Sequence, residues 1–212
     1  MPGRNDRSTV EQTVDVLFQV AAGKMSADAD KEVLANLRKH VQQVTEDLYR
    51  PKPRYMDAFF FPNRDNVFKL ERYIKMAKKS LLICVFNLTN DVLANAVKHV
   101  HDQGVDVRII TDDETMKNKG NDSQTLANAG IPVRTDDHEQ HHMHNKFMLV
   151  DSVFLLTGSF NWTFQAGNSN QENLLVVDHP FYIERYNTEF EKLWKQFAPN
   201  EVASQEKAAA TI

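Results

Sequence analysis

Met56 to Phe61 and Leu81 to Phe86 are short apolar runs, Val105 to Ile110 reads as a third strand, and each is followed by a segment that reads as a helix. The helical segments are predicted over Asn66–Lys78, Asp91–Gln103 and Asn121–Ala129. Pro62 ends the first run, Asn90 can cap the second helix, and Gly104 and Gly130 fit the left-handed position that closes a helix. Strand and helix alternating in units this short imply a layered α/β fold with a mostly parallel central region.

The pattern changes after Arg134. Phe147 to Val150 and Val153 to Thr157 are apolar runs separated only by Asp151-Ser152, the spacing of a tight hairpin. A strand is expected over Leu174–Val177, and a closing helix over Pro180–Phe197 with Phe181, Ile183, Tyr186, Phe190, Leu193 and Trp194 at helical spacing. From Pro199 onward the residues are small and polar, which reads as a frayed tail. Ahead of the strand–helix region, Ser8 and Glu11 have capping-box spacing and open a predicted helix that Gly23 ends. A second helix is predicted from Ala27 to Leu48, stopped by Pro51 and Pro53. The expected organisation is a helical N-terminal extension over 1–53, a domain over 54–198 and a tail over 199–212.

Cys84 is the single cysteine, so no intrachain disulfide and no cysteine-rich zinc module can form. Its place inside Leu81–Phe86 marks it as a small apolar core residue. The net charge of −4 lacks the basic footprint of an indiscriminate polyanion binder, while leaving room for a local positive cleft. No apolar run approaches the roughly 20 residues that span a bilayer, and Met1 to Arg7 lacks a secretory apolar stretch. The expectation is a soluble intracellular protein, cytoplasmic or in association with mitochondria, with any membrane contact peripheral.

Chemistry concentrates in H-N-K-F-M-L-V-D-S-V-F-L-L-T-G-S-F-N-W-T over 144–163. His144, Lys146 and Asp151 stand in the spacing H-x-K-x4-D, followed by Gly158, Ser159 and Asn161. Hydrolysis of a phosphodiester calls for a nucleophile, a cation for the non-bridging oxygens and neutral hydrogen-bond donors around one phosphorus. His144, Lys146, Ser159 and Asn161 supply those types. The stretch occurs once, and the chain contains no internal repeat.

This stretch resembles the signature of the phospholipase D superfamily. Phe59–Pro62, Gly104–Asp112, Ala129–Arg134 and Asn170–Asn173 extend the similarity to the single-motif branch, which includes the mitochondrial cardiolipin hydrolase/Zucchini endonucleases and small bacterial nucleases. The resemblance covers about Tyr55 to Phe197 and implies a phospholipase D-like layered fold with a mixed central sheet flanked by helices. It also implies a covalent phosphohistidine on His144, with Lys146, Asn161 and Ser159 around the phosphate. Glu172 is the expected orienting carboxylate for His144, by the logic of a catalytic triad. Asp151 belongs to the motif, although hydrogen bonding in a turn suits it better than proton transfer. Relatives with two motifs take their general acid from the second histidine. Here a twofold homodimer is expected to bring the two copies of His144 to one composite site. The implied mechanism needs no metal and no cofactor.

Other residues are weighed against blander roles. His138, His141 and His142 crowd the approach to His144; His142 is the best placed for substrate contact, and a metal site among them is disfavoured. Lys117 and Lys119 can steer an anionic substrate or simply face solvent. Asp112 and Asp113 resemble a metal-binding carboxylate pair, but hydrogen bonding at a strand end is the simpler reading. Trp162 and Phe164 are expected to pack beneath the loop rather than stack on a base. Three functions stay open: an endonuclease on single-stranded RNA or DNA, a phospholipase acting on cardiolipin or another anionic phospholipid, and a non-catalytic binder of either ligand. The missing transmembrane segment and zinc module tilt the balance towards the nuclease.

Overall fold

The structure, a computed structural model, describes residues 7–49, 54–117, 120–136 and 141–204. The chain divides into two compact units, Met1–Lys52 and Pro53–Ile212.

The first unit is a helical hairpin of α1 (Arg7–Gly23) and α2 (Asp28–Tyr49). Ser8 lies inside α1 rather than capping it. The helices run antiparallel, with Arg38 of α2 donating to Asp15 of α1 at 2.7 Å. Thr45 alone is buried within α2, where its hydroxyl donates to the carbonyl of Val41.

The second unit holds β1 (Met56–Phe61), α3 (Arg64–Lys75), β2 (Ser80–Val85), β3 (Leu88–Thr89), α4 (Asp91–Asp102), β4 (Asp106–Thr111), α5 (Asp113–Met116) and α6 (Ser123–Asn128). It continues with β5 (Val133–Thr135), β6 (Lys146–Val150), β7 (Phe154–Gly158), β8 (Trp162–Thr163), α7 (Phe164–Asn168), β9 (Glu172–Val177) and α8 (Pro180–Gln196). Seven strands form one sheet in the order β1-β9-β7-β6-β2-β4-β5, and β3 pairs with β8 apart from it. Within the seven-stranded sheet β2, β4 and β5 run parallel, and β6, β7, β9 and β1 join antiparallel. The parallel character read from the first half of the domain thus stops at β2, where the hairpin of β6 and β7 docks on its other edge.

Both faces of the central strands are covered, while on β1 and β9 Met56, Phe60 and Leu175 stay exposed. One face packs against α3 and α4 through Leu70, Ile74, Leu93, Val97 and Phe160, and the other against α8 through Ile183, Phe190 and Leu193. The near-continuous apolar run of β2 follows from this, since a strand buried on both sides has no solvent face to alternate with. Asn63 and Asn90 cap α3 and α4 by accepting backbone N–H bonds. The hairpin turn places Asp151 and Ser152 at φ 54° and 51°, two left-handed residues as a two-residue turn of primed type requires.

The described part of the tail, through residue 204, departs from the frayed expectation, and the rest of it lies outside the described residues. Ala198–Asn200 forms a 3₁₀ turn, Val202 donates its N–H to Val133, and the Arg134 guanidinium bonds Glu201 at 3.1 Å. Arg134 also lies 4.0 Å over the Trp194 ring, so one side chain ties β5, α8 and the segment after it together.

Candidate active site

Strand register alone gathers most of the motif. Val85 at the end of β2 pairs with Lys146 at the start of β6, so Phe86 and His144 emerge side by side. Gly158 at the end of β7 pairs with Leu174, and Phe61 at the end of β1 pairs with Glu172. Phe86, His144, Lys146, Ser159 and Glu172 therefore share one end of the sheet. The β3–β8 pair and the Trp162 N–H bond to Asn87 hold the loop carrying Asn161 against the segment after Phe86.

Gly158 makes that convergence possible. A Cβ at this position would sit 2.1 Å from the backbone oxygen of Asn173 and 2.9 Å from its carbonyl carbon, atoms that cannot swing aside. Gly158→Ala is expected to cost about 3 kcal/mol or more, as severe steric changes do. Thermal unfolding should register a fall of roughly 10 °C. A wild-type melting temperature would refute the close approach of β7 and β9.

His144 is exposed, and its ring lies against Phe86 with centroids 4.8 Å apart. Burial, then the positive charge of Lys146 and the neighbouring His142, holds its pKa below the usual histidine value; Asp112 acts in the opposite sense. The neutral imidazole is thus favoured, and a neutral ring nitrogen is a nucleophile. Lys146 donates Nζ to the His144 carbonyl at 2.8 Å and lies 5.2 Å from the Phe86 centroid. Burial lowers its pKa, and Glu172 opposes that shift.

Glu172 does not take the expected place. Among the described residues no hydrogen bond joins it to the His144 ring. Instead the Ser159 hydroxyl donates to Oε2 at 2.5 Å and the Asn170 amide donates to Oε1 at 3.2 Å. The Asn173 N–H in turn donates to Ser159 Oγ at 3.0 Å. Glu172 thereby fixes the Ser159 side chain and faces the Lys146 charge. Asn161 presents a buried Oδ1 with no hydrogen-bond partner. A polar amide left unsatisfied beside this group is suited to a ligand.

Asp151 does not join the group. It follows β6 at the far end of the sheet, roughly 15 Å from Lys146 at the rise of a strand. There its carboxylate accepts the backbone N–H groups of Lys78, Lys79 and Ser80 at 2.8 to 3.1 Å. Burial opposes its ionisation, but the bonds from Ser80, Lys79 and Lys78 and the Lys79 charge outweigh it, and the pKa falls below the ordinary aspartate value.

His142 commits Nδ1 to the fully buried Asp112 at 3.0 Å, while its ring edge meets Phe86. Its free contact surface is smaller than the sequence suggested. Lys117, 76 % exposed, lies 3.8 Å from Asp113, and no contact links it to His144 or Lys146 among the described residues. Lys119 and His138 fall outside the described residues. Asp112, Asp113 and Asp136 bring one carboxylate oxygen each within 4.8 Å of one another. Two of the three serve protein donors: Asp112 caps α5 and binds His142, and Asp136 accepts from the backbone N–H groups of Asp113 and Met143, while Asp113 Oδ1 is buried without a hydrogen-bond partner. No histidine joins that group among the described residues. Trp162 is buried as expected, whereas Phe164 is 70 % exposed three positions after Asn161. Sequence reading also missed Phe86, whose signal was only its place at the end of a buried strand.

A mixed sheet with these side chains at one end is the architecture of a phospholipase D-like protein, and the comparisons agree. Residues 70–194 match the family described as cardiolipin synthase, PLD-like domain, and the chain belongs to the phospholipase D superfamily of phosphodiesterases. It is 34% identical over 193 residues to the mitochondrial cardiolipin hydrolase of Xenopus tropicalis, covering 86% of this chain and 91% of that one. With the mitochondrial cardiolipin hydrolase of Chlamydomonas reinhardtii it shares 43% identity over 125 residues, 59% of this chain and 56% of the relative. The crystal structure of Nuc from Salmonella typhimurium, a phospholipase D family member, superposes with a TM-score of 0.61 at 28% identity, covering 68% of this chain and 96% of Nuc. No helix among the described residues is long and apolar enough to cross a membrane.

Proposed function

We propose that the protein hydrolyses phosphodiesters through a covalent phosphohistidine on His144, acting on single-stranded nucleic acid as a homodimer without a metal. The observation that carries this reading is the meeting of a neutral-leaning His144, the Lys146 ammonium and the Ser159–Glu172 pair at one open end of the sheet. A ring nitrogen of His144 attacks phosphorus while the bond to the leaving oxygen breaks. Lys146 and Asn161 bind the non-bridging oxygens, with Ser159 held in place by Glu172. The leaving oxygen takes a proton from the partner copy's imidazole. Water then attacks phosphorus, the P–N bond breaks, and its proton returns to that imidazole. Asp151 supports this site only through the fold, and Lys117 and His142 act at its edge as anion-attracting groups.

Phe164 favours a nucleic acid over a lipid. An exposed ring beside the phosphate-binding loop is a stacking platform, worth about 1–3 kcal/mol per base. Phe164→Ala should therefore weaken oligonucleotide binding roughly 5- to 100-fold with little change in kcat. A specific observation supports a second reading: relatives aligned over most of this chain are named cardiolipin hydrolases. Purified protein is to be assayed in EDTA against single-stranded oligonucleotides and against cardiolipin vesicles in parallel. Oligonucleotide cleavage in EDTA is the expected result. Release of phosphatidic acid alone would transfer the function to lipid, and a strict need for added divalent metal would sink the mechanism. Light scattering should give the mass of a dimer; a fully active monomer would remove the composite site.

A further inference from the structure

The helical hairpin is only half satisfied. In the seam between its helices lie Val10, Val14, Phe18 and Ala21 of α1 and Leu34, Arg38, Val41 and Thr45 of α2, all buried or half-buried. Beside them Val16, Leu17 and Val20 of α1 and Val33, Leu37, Val44 and Leu48 of α2 are 53 to 75 % exposed. Nearly all of these exposed residues precede a half-buried one by a single position: Leu17 before Phe18, Val20 before Ala21, Val33 before Leu34, Leu37 before Arg38, Val44 before Thr45. One residue is about 100° of helical rotation. In antiparallel helices an offset of the same sense turns both stripes to the same side of the hairpin, so the exposed residues form one face.

We infer that this face is a self-association surface, joining the hairpins of two copies of the chain into a four-helix bundle. Three features point to a second copy. The α2 stripe Val33, Leu37, Val44 recurs at the four- and seven-residue steps of a coiled-coil seam, the pattern that packs helix on helix. In the second unit the exposed large apolar residues are spread over different elements, among them Met56 and Phe60 on β1, Val92 on α4, Phe164 at the start of α7 and Phe181 and Tyr182 on α8, and they form no continuous helical stripe to match it. The face presents seven large apolar side chains, each more than half exposed, as the apolar centre of an interface that in standard cases buries roughly 800 Å² per partner. At 100° per residue the polar residues flanking the stripes are Lys24, Asp30, His40 and Asp47, so the edge of the face carries both signs of charge. A twofold axis makes such a face complementary to itself.

The inference goes beyond the composite active site, because the hairpins can hold two chains together whether or not their sites meet. The test is sedimentation equilibrium of the full chain and of Leu37→Glu/Val44→Glu, with Leu37→Met/Val44→Ile as the conservative control. Both positions are exposed, and far-UV circular dichroism should report unchanged helix content. The acidic pair is expected to raise the dimer dissociation constant at least tenfold, and the conservative pair to leave it alone. An unchanged constant overturns the inference, as does a wild-type chain that stays monomeric. A fall in melting temperature without a change in the constant assigns the face to the chain's own second unit. Loss of cosedimentation with anionic vesicles at an unchanged constant assigns it to a lipid surface. Both outcomes also overturn it. Activity of the acidic variant, measured far above its dissociation constant, separates this result from the fate of the catalytic reading: the hairpin inference leaves that activity unchanged.

Discussion

His144→Ala should abolish hydrolysis, lowering it on the order of 10⁴-fold or more, the scale seen when a covalent nucleophile is removed. The melting temperature should stay near that of the wild type. The imidazole is exposed, and its side chain contacts Phe86 without filling a cavity. A phosphodiester labelled at phosphorus should leave an acid-labile adduct on the wild type and none on the variant. The pH profile has a definite sign. The nucleophile is the neutral ring, and burial with Lys146 and His142 nearby keeps its pKa below the ordinary histidine value. Activity should therefore rise with pH through that lowered value as the nucleophile loses its proton, and fall again at higher pH as the imidazole of the partner copy loses the proton it must give to the leaving oxygen, a bell-shaped profile. Removing the Lys146 charge should move the acidic limb upward, because one of the groups that depress the pKa is lost. Subunit exchange adds a readout for the composite site. Mixed with the His144→Ala chain, wild-type chains lose activity per chain if two imidazoles are needed at one phosphorus, and keep it if each site is self-sufficient. Retention of more than a few per cent of activity by His144→Ala would end the covalent reading.

The parts legible in the sequence are those whose physics repeats along the chain. β1, β2, β6 and β7 are mostly apolar runs of five or six residues, β4 carries Val107, Ile109 and Ile110 among polar residues, and α3, α4 and α8 carry apolar stripes with Asn63, Asn90 and Pro180 at their starts. β3, β8, β5, α5 and α7 span two to five residues, too short to show any period. What these short elements do is decided by partners far away in the chain. The β3–β8 pair holds the Asn161 loop, and α5 exists because Asp112 caps it. The chemical types at the site were readable for the same reason that its wiring was not. Spacing puts His144, Lys146, Ser159 and Glu172 in one neighbourhood, but only three-dimensional distance says which acceptor a donor finds. Ser159 reaches Glu172 first, and Asp112, thirty positions before His142, claims a nitrogen that the sequence had left to substrate. Aromatics beside a catalytic loop usually pack beneath it, which is why the sequence points Phe164 inward; here Trp162 and Phe160 already fill that space.

Asp151→Ala should separate the motif into a chemical part and an architectural part. The variant is expected to lose about 3–5 kcal/mol of stability, or roughly 10 °C in melting temperature, while each folded molecule keeps its activity. Three N–H groups at the start of β2, those of Lys78, Lys79 and Ser80, lose their acceptor together. Alanine must also hold a φ of 54°, which aspartate tolerates better. Asp151→Asn keeps a side-chain oxygen and the turn, so it should cost about 1 kcal/mol, the size of a single weakened hydrogen-bond set. The pH dependence follows from the lowered folded-state pKa. A carboxylate bound more tightly as the anion contributes stability above its unfolded pKa and loses that contribution as pH falls through the folded value. The gap between wild type and Asp151→Asn should therefore be full at neutral pH and close as the solution is acidified past the ordinary aspartate range. If Asp151→Asn were as inactive as His144→Ala while melting like the wild type, Asp151 would have to act at the phosphate. Its position at the opposite end of β6 from Lys146 makes retained activity the expected outcome, since a carboxylate roughly 15 Å away cannot touch the reacting atoms.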